Sequence, residues 1–307
     1  MSRKVVRRRT ERDGRPVGLV DLDVVAFQVC SDCTVEERVG DDEYAWTLDM
    51  KLARANMATR LGNLKREAGC GRLVLCVGSR QNWRKRLEPS YKANRIGRKK
   101  PLGYWALIEH LRKEHDVREH DWLEADDVIG LLHTGPEFKA FGVETIVISN
   151  DKDFLQLPGK LYDFHDPSPR VREISRDEAD LNHLVRALAG DTSDGYKGAR
   201  GVGEKGAMDA FARKNPHESI EDVALRTFLE AGHDKAYAEL QCQLARVLRH
   251  GEYDPETGEL KLWRFPSPRK PARAVVKRAA GAPARRGAGG GVVRGRGGAR
   301  GVGRRPG

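Results

Sequence analysis

No run in this 307-residue chain approaches the roughly 18 apolar residues that a membrane-spanning helix needs. The basic opening Met1 to Arg9 is not followed by the apolar stretch of a secretory signal, and Glu11 and Asp13 count against a transit peptide. No membrane partner is expected. Cysteine is scarce: Cys30, Cys33, Cys70, Cys76 and Cys242 are five, an odd count that suits reduced thiols in a cytosol rather than a disulfide framework. Cys30 and Cys33 form a lone C-x-x-C with no second pair at zinc spacing, so they read as thiols beside the first strand. No serine sits in a nucleophile elbow and no Cys–His pairing is evident; His110, His115, His120 and His133 read as surface residues. Covalent nucleophilic catalysis is therefore not expected. Nor does the chain show a polymerase portion, so it is not expected to be the amino-terminal part of a longer polymerase.

Charge is plentiful but unevenly spread. Of the net +11, residues 266–307 hold +12 with no acid, and residues 1–16 hold +5, which leaves −6 for the body between them. Both basic ends read as disordered arms. The tail is Arg, Gly, Ala and Pro and has nothing to bury, so its expected role is salt-sensitive attraction to a polyanion.

Within the body, strand-like and helix-like patterns alternate. Residues 17–25 read as a buried strand, Asp41 to about Ala68 as a helix, and Arg72 to Val77 as a second strand, a strand–helix–strand unit of the α/β type. A basic segment with interleaved aromatics follows, from Trp83 to Arg95 and on to Lys100. Cations of this kind contact phosphates and aromatic faces stack on bases; a solvated charged loop is the competing reading. Helices are expected from Pro101 to about His115, from Trp122 to His133, from Ser175 to Ala189, and over 218–231 and 234–249. A third strand is expected at Thr145–Ser149, a short fourth at Lys160–Phe164 and a last one at Leu260–Phe265. Between two of the helices lies the glycine-rich run Gly195 to Ala207, flanked by Lys197, Arg200 and Lys205. Its backbone N–H groups suit a phosphate at a helix N-terminus. No strand precedes it, which argues against dinucleotide binding.

The acids form the most informative pattern. Asp21 and Asp23 end the first strand-like run. Glu124, Asp126 and Asp127 crowd one helix start, Asp151 and Asp153 follow the third strand, and Asp191 and Asp194 follow the helix ending at Ala189. Alone, the Glu124 group is equally an acidic first turn favoured by the helix dipole. Four such groups at strand ends and helix starts look like the rim of one parallel sheet. Oxygen ligands without His or Cys suit Mg²⁺ or Mn²⁺.

These residues resemble the 5′→3′ exonucleases and flap endonucleases. The likeness is carried by Trp83-Arg84-Lys85 with Tyr91-Lys92-Ala93-Asn94-Arg95, by Glu124-Ala125-Asp126-Asp127, by Asn150-Asp151-Lys152-Asp153, and by Gly190-Asp191-Thr192-Ser193-Asp194, in the family's order. It covers roughly residues 17–265 and is strongest to the stand-alone exonucleases of short-tailed bacteriophages. The resemblance implies a PIN-like α/β nuclease core over 17–174, with a mostly parallel central sheet and a basic arch region at about 83–115. It implies a helical subdomain over 175–265 with a helix–three-turn–helix that grips duplex backbone. It also implies two divalent ions: one on Asp21, Glu124 and Asp126, with Asp127 in or behind that shell, and one on Asp151, Asp153, Asp191 and Asp194. Lys92 and Arg95 are implied to address the scissile phosphate, with Tyr91 stacking and Arg84 and Lys85 among the nucleic-acid contacts. Gly201, Val202, Gly203, Lys197 and Lys205 are implied in the duplex-binding turn, which in relatives can hold a monovalent cation such as K⁺. In one place the chain departs from the family: where relatives carry an aspartate at the end of the second strand, Ser79 stands, and Asp23 is the nearest substitute.

The expected activity is metal-assisted phosphodiester hydrolysis from a 5′ end of DNA duplex, 5′ flaps or RNA primers on DNA, by a cytoplasmic monomer. Two other readings compete: a non-catalytic binder of branched or duplex DNA, weakened by the missing aspartate, and a PIN-type ribonuclease of single strands.

Overall fold

Val17–Asp21 (β1) is buried at every position and forms the middle of a six-stranded sheet. The computed structural model describes residues 14–267; the arm before them and the Arg/Gly-rich tail after them, both expected to be disordered, lie outside the described residues. After β1 come Leu22–Asp32 (α1), a hairpin of Thr34–Gly40 (β2) and Glu43–Leu48 (β3), Met50–Glu67 (α2) and Arg72–Cys76 (β4). Arg84–Leu87 (α3), Tyr104–Glu114 (α4), Val117–Arg118 (β5), Ala125–Thr134 (α5), Pro136–Lys139 (α6) and Thr145–Ile148 (β6) follow. Gly159–Tyr162 (β7), Val171–Ile174 (β8), Arg176–Ala189 (α7), Glu204–Ala212 (α8), Ile220–Glu230 (α9) and Lys235–Ala245 (α10) complete the described elements.

The sheet order is β5-β4-β1-β6-β7-β8. Every pairing is parallel except that of β8 with β7. This is the expected mostly parallel sheet flanked by helices. Alternation along each strand sends Val20, Leu75 and Ile148 to one face, under α1, α2 and α4. It sends Leu19, Val74 and Val147 to the other, against Val128 and Ile129 of α5. A third cluster joins α7 to α10 and takes in Tyr91. Because Asp21 pairs with Cys76 and Val20 with Ile148, the three central strands end level. Chain order reverses at β1, the place where open α/β sheets bind ligands beyond their carboxyl ends.

Four expectations are corrected. The first strand does not reach 25; it ends at Asp21, which caps α1, and Asp23 lies in the first turn of that helix. The helix expected from Asp41 does not begin there; Asp49 caps it, its carboxylate accepting from Lys51 N at 2.9 Å and Leu52 N at 3.0 Å. The residues before it form the β2–β3 hairpin, exposed on both faces, so no one-sided alternation betrays it. The helix expected to reach 249 stops at Ala245. Arg246 is extended, and residues 246–249 run buried past α5. Gly130 makes this approach possible, since a Cβ there would lie 2.1 Å from the Leu248 carbonyl oxygen. The last strand is reduced to one bridge, Tyr253 with Leu260.

Candidate active site

The level strand ends bring the acid groups to one cleft of about 740 Å³. Eight carboxylates line it: Asp21, Asp23, Glu124, Asp126, Asp151, Asp153, Asp191 and Asp194. So do six cations, Arg80, Lys85, Lys92, Arg95, Lys100 and Arg186. Asp21 ends β1 and caps α1, accepting from Val24 N at 3.3 Å and from Ser149 Oγ at 3.2 Å. Glu124 is the N-cap of α5, which sets Asp126 in the first helical turn. Asp151 caps the short 3-10 turn after β6 and accepts from Asp153 N at 2.9 Å. Asp191 accepts from Ser193 N at 2.7 Å and from Asp194 N at 3.1 Å, a tight loop that fixes both acids.

The cations divide the acids between them. Lys92 Nζ contacts Glu124 and lies 3.4 Å from Asp194. Arg95 meets Asp194 at 2.7 Å. Arg186 donates from Nε to Asp153 and from Nη2 to Asp191, each at 2.8 Å. Burial pushes the Glu124 carboxyl up, but Lys92 and Arg84 outweigh it and hold the group down at about 2. The opposite holds where no cation reaches: burial, then Asp23 and Asp151, push Asp21 up to about 7. Burial, then Asp21, Asp151 and Glu124, raise Asp126 well above the usual carboxylate range. Burial and Asp151 carry Asp153 up to about 7 against the pull of Arg186. Among the described residues no three Asp, Glu, His or Cys side chains already converge as a shell for one ion. The protein's own cations occupy Glu124, Asp153, Asp191 and Asp194 instead.

The segment 90–95 is stitched across the cleft to the Asp191–Asp194 loop. Lys92 N donates to Asp194 O at 2.7 Å, and Asn94 Nδ2 donates to the Thr192 and Ser193 carbonyls at 3.0 and 3.2 Å. Lys92 takes a left-handed backbone, φ 55°, to turn its amine down into the acids.

Three of the residues singled out in the sequence stand elsewhere. Arg84 is 3% exposed and cannot meet a nucleic acid. Its guanidinium forks onto Asp127 at 2.8 and 2.9 Å, reaches Glu124 at 2.9 Å and donates to the Leu244 and Arg246 carbonyls at 3.0 and 2.5 Å. Asp127 is fully buried behind the cleft, holding Arg84, Trp83 Nε1 at 2.9 Å and Leu248 N at 3.2 Å, so it is no ion ligand. Tyr91 is 2% exposed, with its ring in the α7–α10 cluster, so it does not stack on a base; its hydroxyl donates to Asp194 at 2.8 Å. Lys85 is exposed at the cleft. Ser79 lines the cleft and spends its hydroxyl on Gln81 N at 3.2 Å. Beside it, Asp23 accepts from Gly78 N at 3.1 Å and from the Tyr104 hydroxyl. Arg186 and Ser149 were not foreseen; an Arg in the last turn of a helix has an ordinary role against the dipole, and Ser149 carries no signal of its own.

Lys197, Gly201 and Gly203 are exposed in the turn between α7 and α8, where Val202 is half-buried, and Lys205 is exposed in the first turn of α8. α10 braces this turn from behind: Gly198 N donates to Gln241 Oε1 at 2.8 Å and the Tyr237 hydroxyl donates to Gly198 O at 3.0 Å.

The flap endonuclease Xni of Shewanella piezotolerans is 30% identical over 209 residues, which cover 63% of this chain and 79% of that one. The chain belongs to the 5′-3′ exonuclease and flap endonuclease family. The family model for the 5′-3′ exonuclease N-terminal resolvase-like domain matches residues 51–180 of this family member. The exonuclease of Escherichia phage T7 is 29% identical over 287 residues, covering 82% of this chain and 94% of that one. Among solved structures, the bacteriophage T5 flap endonuclease, in a pseudo-enzyme-product complex with DNA and metal ions, superposes with a TM-score of 0.54 at 14% identity. That match covers 75% of this chain and 89% of the T5 chain, and it shows the exonuclease–flap endonuclease fold.

Proposed function

We propose that this protein is a divalent-metal-dependent 5′→3′ nuclease that hydrolyses DNA phosphodiester bonds. The observation that carries the reading is the convergence of eight carboxylates at the carboxyl ends of β1, β4 and β6, in a chain of this family. The donor set fits a hard cation. Every acid offers oxygen, and Asp21, Asp126 and Asp153 are raised by burial and by one another. A divalent ion relieves that repulsion. Asp21, Glu124 and Asp126, with Asp23 in place of the acid missing at Ser79, would hold one Mg²⁺ or Mn²⁺; Asp151, Asp153, Asp191 and Asp194 would hold a second. When bound, such ions supply an activated water and charge stabilisation at phosphorus. Lys92 and Arg95, which stand at the cleft against Glu124 and Asp194, would be the chain's own phosphate contacts. The α7–α8 turn, a helix–three-turn–helix with Lys197, Lys205 and the backbone of Gly201, Val202 and Gly203, holds the duplex backbone and is the place for a K⁺ ion. DNA duplex, 5′ flaps and RNA–DNA hybrid are its substrates. It acts as a monomer in the cytoplasm.

The test is degradation of a 5′-labelled duplex with Mg²⁺, then with EDTA. Products should be short and 5′-phosphorylated, and Asp151→Asn with Asp153→Asn should abolish them. Hydrolysis that survives EDTA would refute the reading. Retained binding with no cleavage in Mg²⁺ or Mn²⁺ would replace it with a non-catalytic DNA binder.

A further inference from the structure

Among the cations that flank the glycine-rich turn, Arg200 is held back from solvent partners. Its Nη2 donates to the Ala231 carbonyl at 3.1 Å, and its backbone N–H donates to His233 Nε2 at 3.1 Å. Both acceptors lie in the corner between α9 and α10. Gly232 admits the guanidinium there: its backbone is left-handed, φ 84°, and a Cβ would stand 3.0 Å from Nη2. Lys197 and Lys205, by contrast, are exposed.

The His233 ring is itself fixed. It stacks on Tyr237, centroids 4.1 Å apart and planes at 10°, and Phe228 meets both rings in T-shaped contacts at 6.3 Å. His233 N donates to Phe228 O at 3.0 Å. A ring nitrogen that accepts an N–H bond keeps its lone pair, so the network assigns a neutral ring with its proton on Nδ1. The turn beyond Arg200 has little to hold it. No atom lies within 4 Å of where a Cβ would stand at Gly201 or Gly203. The shape of the turn is therefore set just before them. On the α7 side Ala199 N donates to Leu188 O at 2.8 Å. On the α10 side His233 takes Arg200 N, and the Tyr237 hydroxyl takes Gly198 O. An N–H bonded to His233 is not offered to a phosphate; it shapes the loop that presents its neighbours.

We infer that His233 is a positioning residue for duplex binding. Through the Arg200 N–H it sets the backbone of the glycine-rich turn before DNA arrives, and Arg200 is a tether to the α9–α10 corner rather than a phosphate contact. The inference rests on the reading of the α7–α8 turn as the duplex grip. A turn ordered in advance spares binding the cost of ordering it.

The test reads binding of a blunt duplex by fluorescence anisotropy in EDTA over a salt series, and cleavage in Mg²⁺ as KM and kcat. His233→Phe keeps a ring for Tyr237 and removes the acceptor. It should weaken binding about fivefold, the worth of one net hydrogen bond, with the salt slope unchanged. In cleavage the loss should fall on KM, and a retained kcat shows that the variant is folded. His233→Gln, whose Oε1 offers an acceptor again, should recover most of the loss. Arg200→Met should also weaken binding at constant slope. Lys197→Gln with Lys205→Gln should instead lower the slope by about 1.8, at roughly 0.9 for each duplex phosphate lost. Unaltered binding by His233→Phe, equal losses in the Phe and Gln variants, or a lower slope for Arg200→Met would overturn the inference while the lysine variant still upheld the grip. An unchanged slope in the lysine variant would overturn the grip itself, and with it the role of His233.

Discussion

Replacing Arg84 by methionine should destabilise the protein and leave Glu124 with Lys92 as its remaining cation. The guanidinium is 3% exposed and makes five polar contacts, to Asp127, Glu124 and the carbonyls of Leu244 and Arg246. Methionine fills much of the volume but offers no donor. Breaking one side of a buried ion pair costs about 3–5 kcal/mol, because the remaining charge is left unpaired. Asp127 has other donors, Trp83 Nε1 and Leu248 N, so the low end, about 3 kcal/mol, is expected for the pair. Each abandoned carbonyl adds about 1 kcal/mol. The total, about 5 kcal/mol, is a large fraction of the roughly 5–15 kcal/mol that holds a typical domain. Arg84→Lys should lose nearly as much, since an ammonium cannot fork onto a carboxylate and reach two carbonyls. Urea denaturation followed by tryptophan fluorescence reads the loss as a lower midpoint at constant slope. Asp127→Asn in the Arg84→Met background should restore part of it, because the orphaned charge is then removed. A loss below about 1 kcal/mol for Arg84→Met, in place of the several expected from an orphaned buried charge, would refute the account of Arg84 as the tie between α5 and residues 244–246.

Other residues and segments carry expectations of the same kind. Ser79→Asp should lower the Mg²⁺ concentration needed for half-maximal cleavage several-fold; an unchanged titration would mean that Asp23 already does that work. His133, expected at the surface, is instead buried on α5, with Nδ1 2.7 Å from Thr145 Oγ1, and burial pushes its pKa down from 6.5 to about 4. The folded state thus resists a proton that the unfolded chain accepts. Stability should be unaffected above pH 6.5 and fall by up to about 3 kcal/mol as pH drops from 6.5 to about 4, and His133→Asn should flatten that part of the profile in urea melts. Deleting residues 268–307, which carry every cation of the tail, should weaken DNA binding at low salt and matter little at high salt; equal affinity in both buffers would remove the tail from DNA binding.

The sheet and its acids were legible in the sequence because each carries a strong local signal. Buried strands read as apolar runs, and acids placed just after them fall on the rim of a parallel sheet by geometry alone. The Ser175 cap is as legible: its hydroxyl accepts from Glu178 N at 3.1 Å, where the sequence placed a helix start. What stayed hidden depends on long-range partners. Arg84 and Lys85 are adjacent cations, and only the fold buries one and leaves the other at the cleft. Nothing near Asp127 announces that Arg84, forty-three residues earlier, will take it out of the ligand set. Tyr91 resembles a stacking residue until the α7–α10 cluster closes over its ring. The β2–β3 hairpin escaped because strands exposed on both faces lose the alternation by which strands are recognised.

The tie between Arg84 and the carbonyls of Leu244 and Arg246 also bears on how the chain is made. β1 is the first of the described strands, yet it sits in the middle of the sheet and needs β6. Five sheet strands are available once Tyr162 has emerged, whereas the acceptors of Arg84 come more than eighty residues later. At about 5–20 residues per second, the nascent nuclease core waits about 4–16 s with Arg84 and Asp127 paired but uncovered. A fragment that stops before residue 244 would keep that state permanently, so the segment matched by the family model is not expected to be an independent folding unit, and truncations meant to isolate the catalytic part should retain residues 244–249.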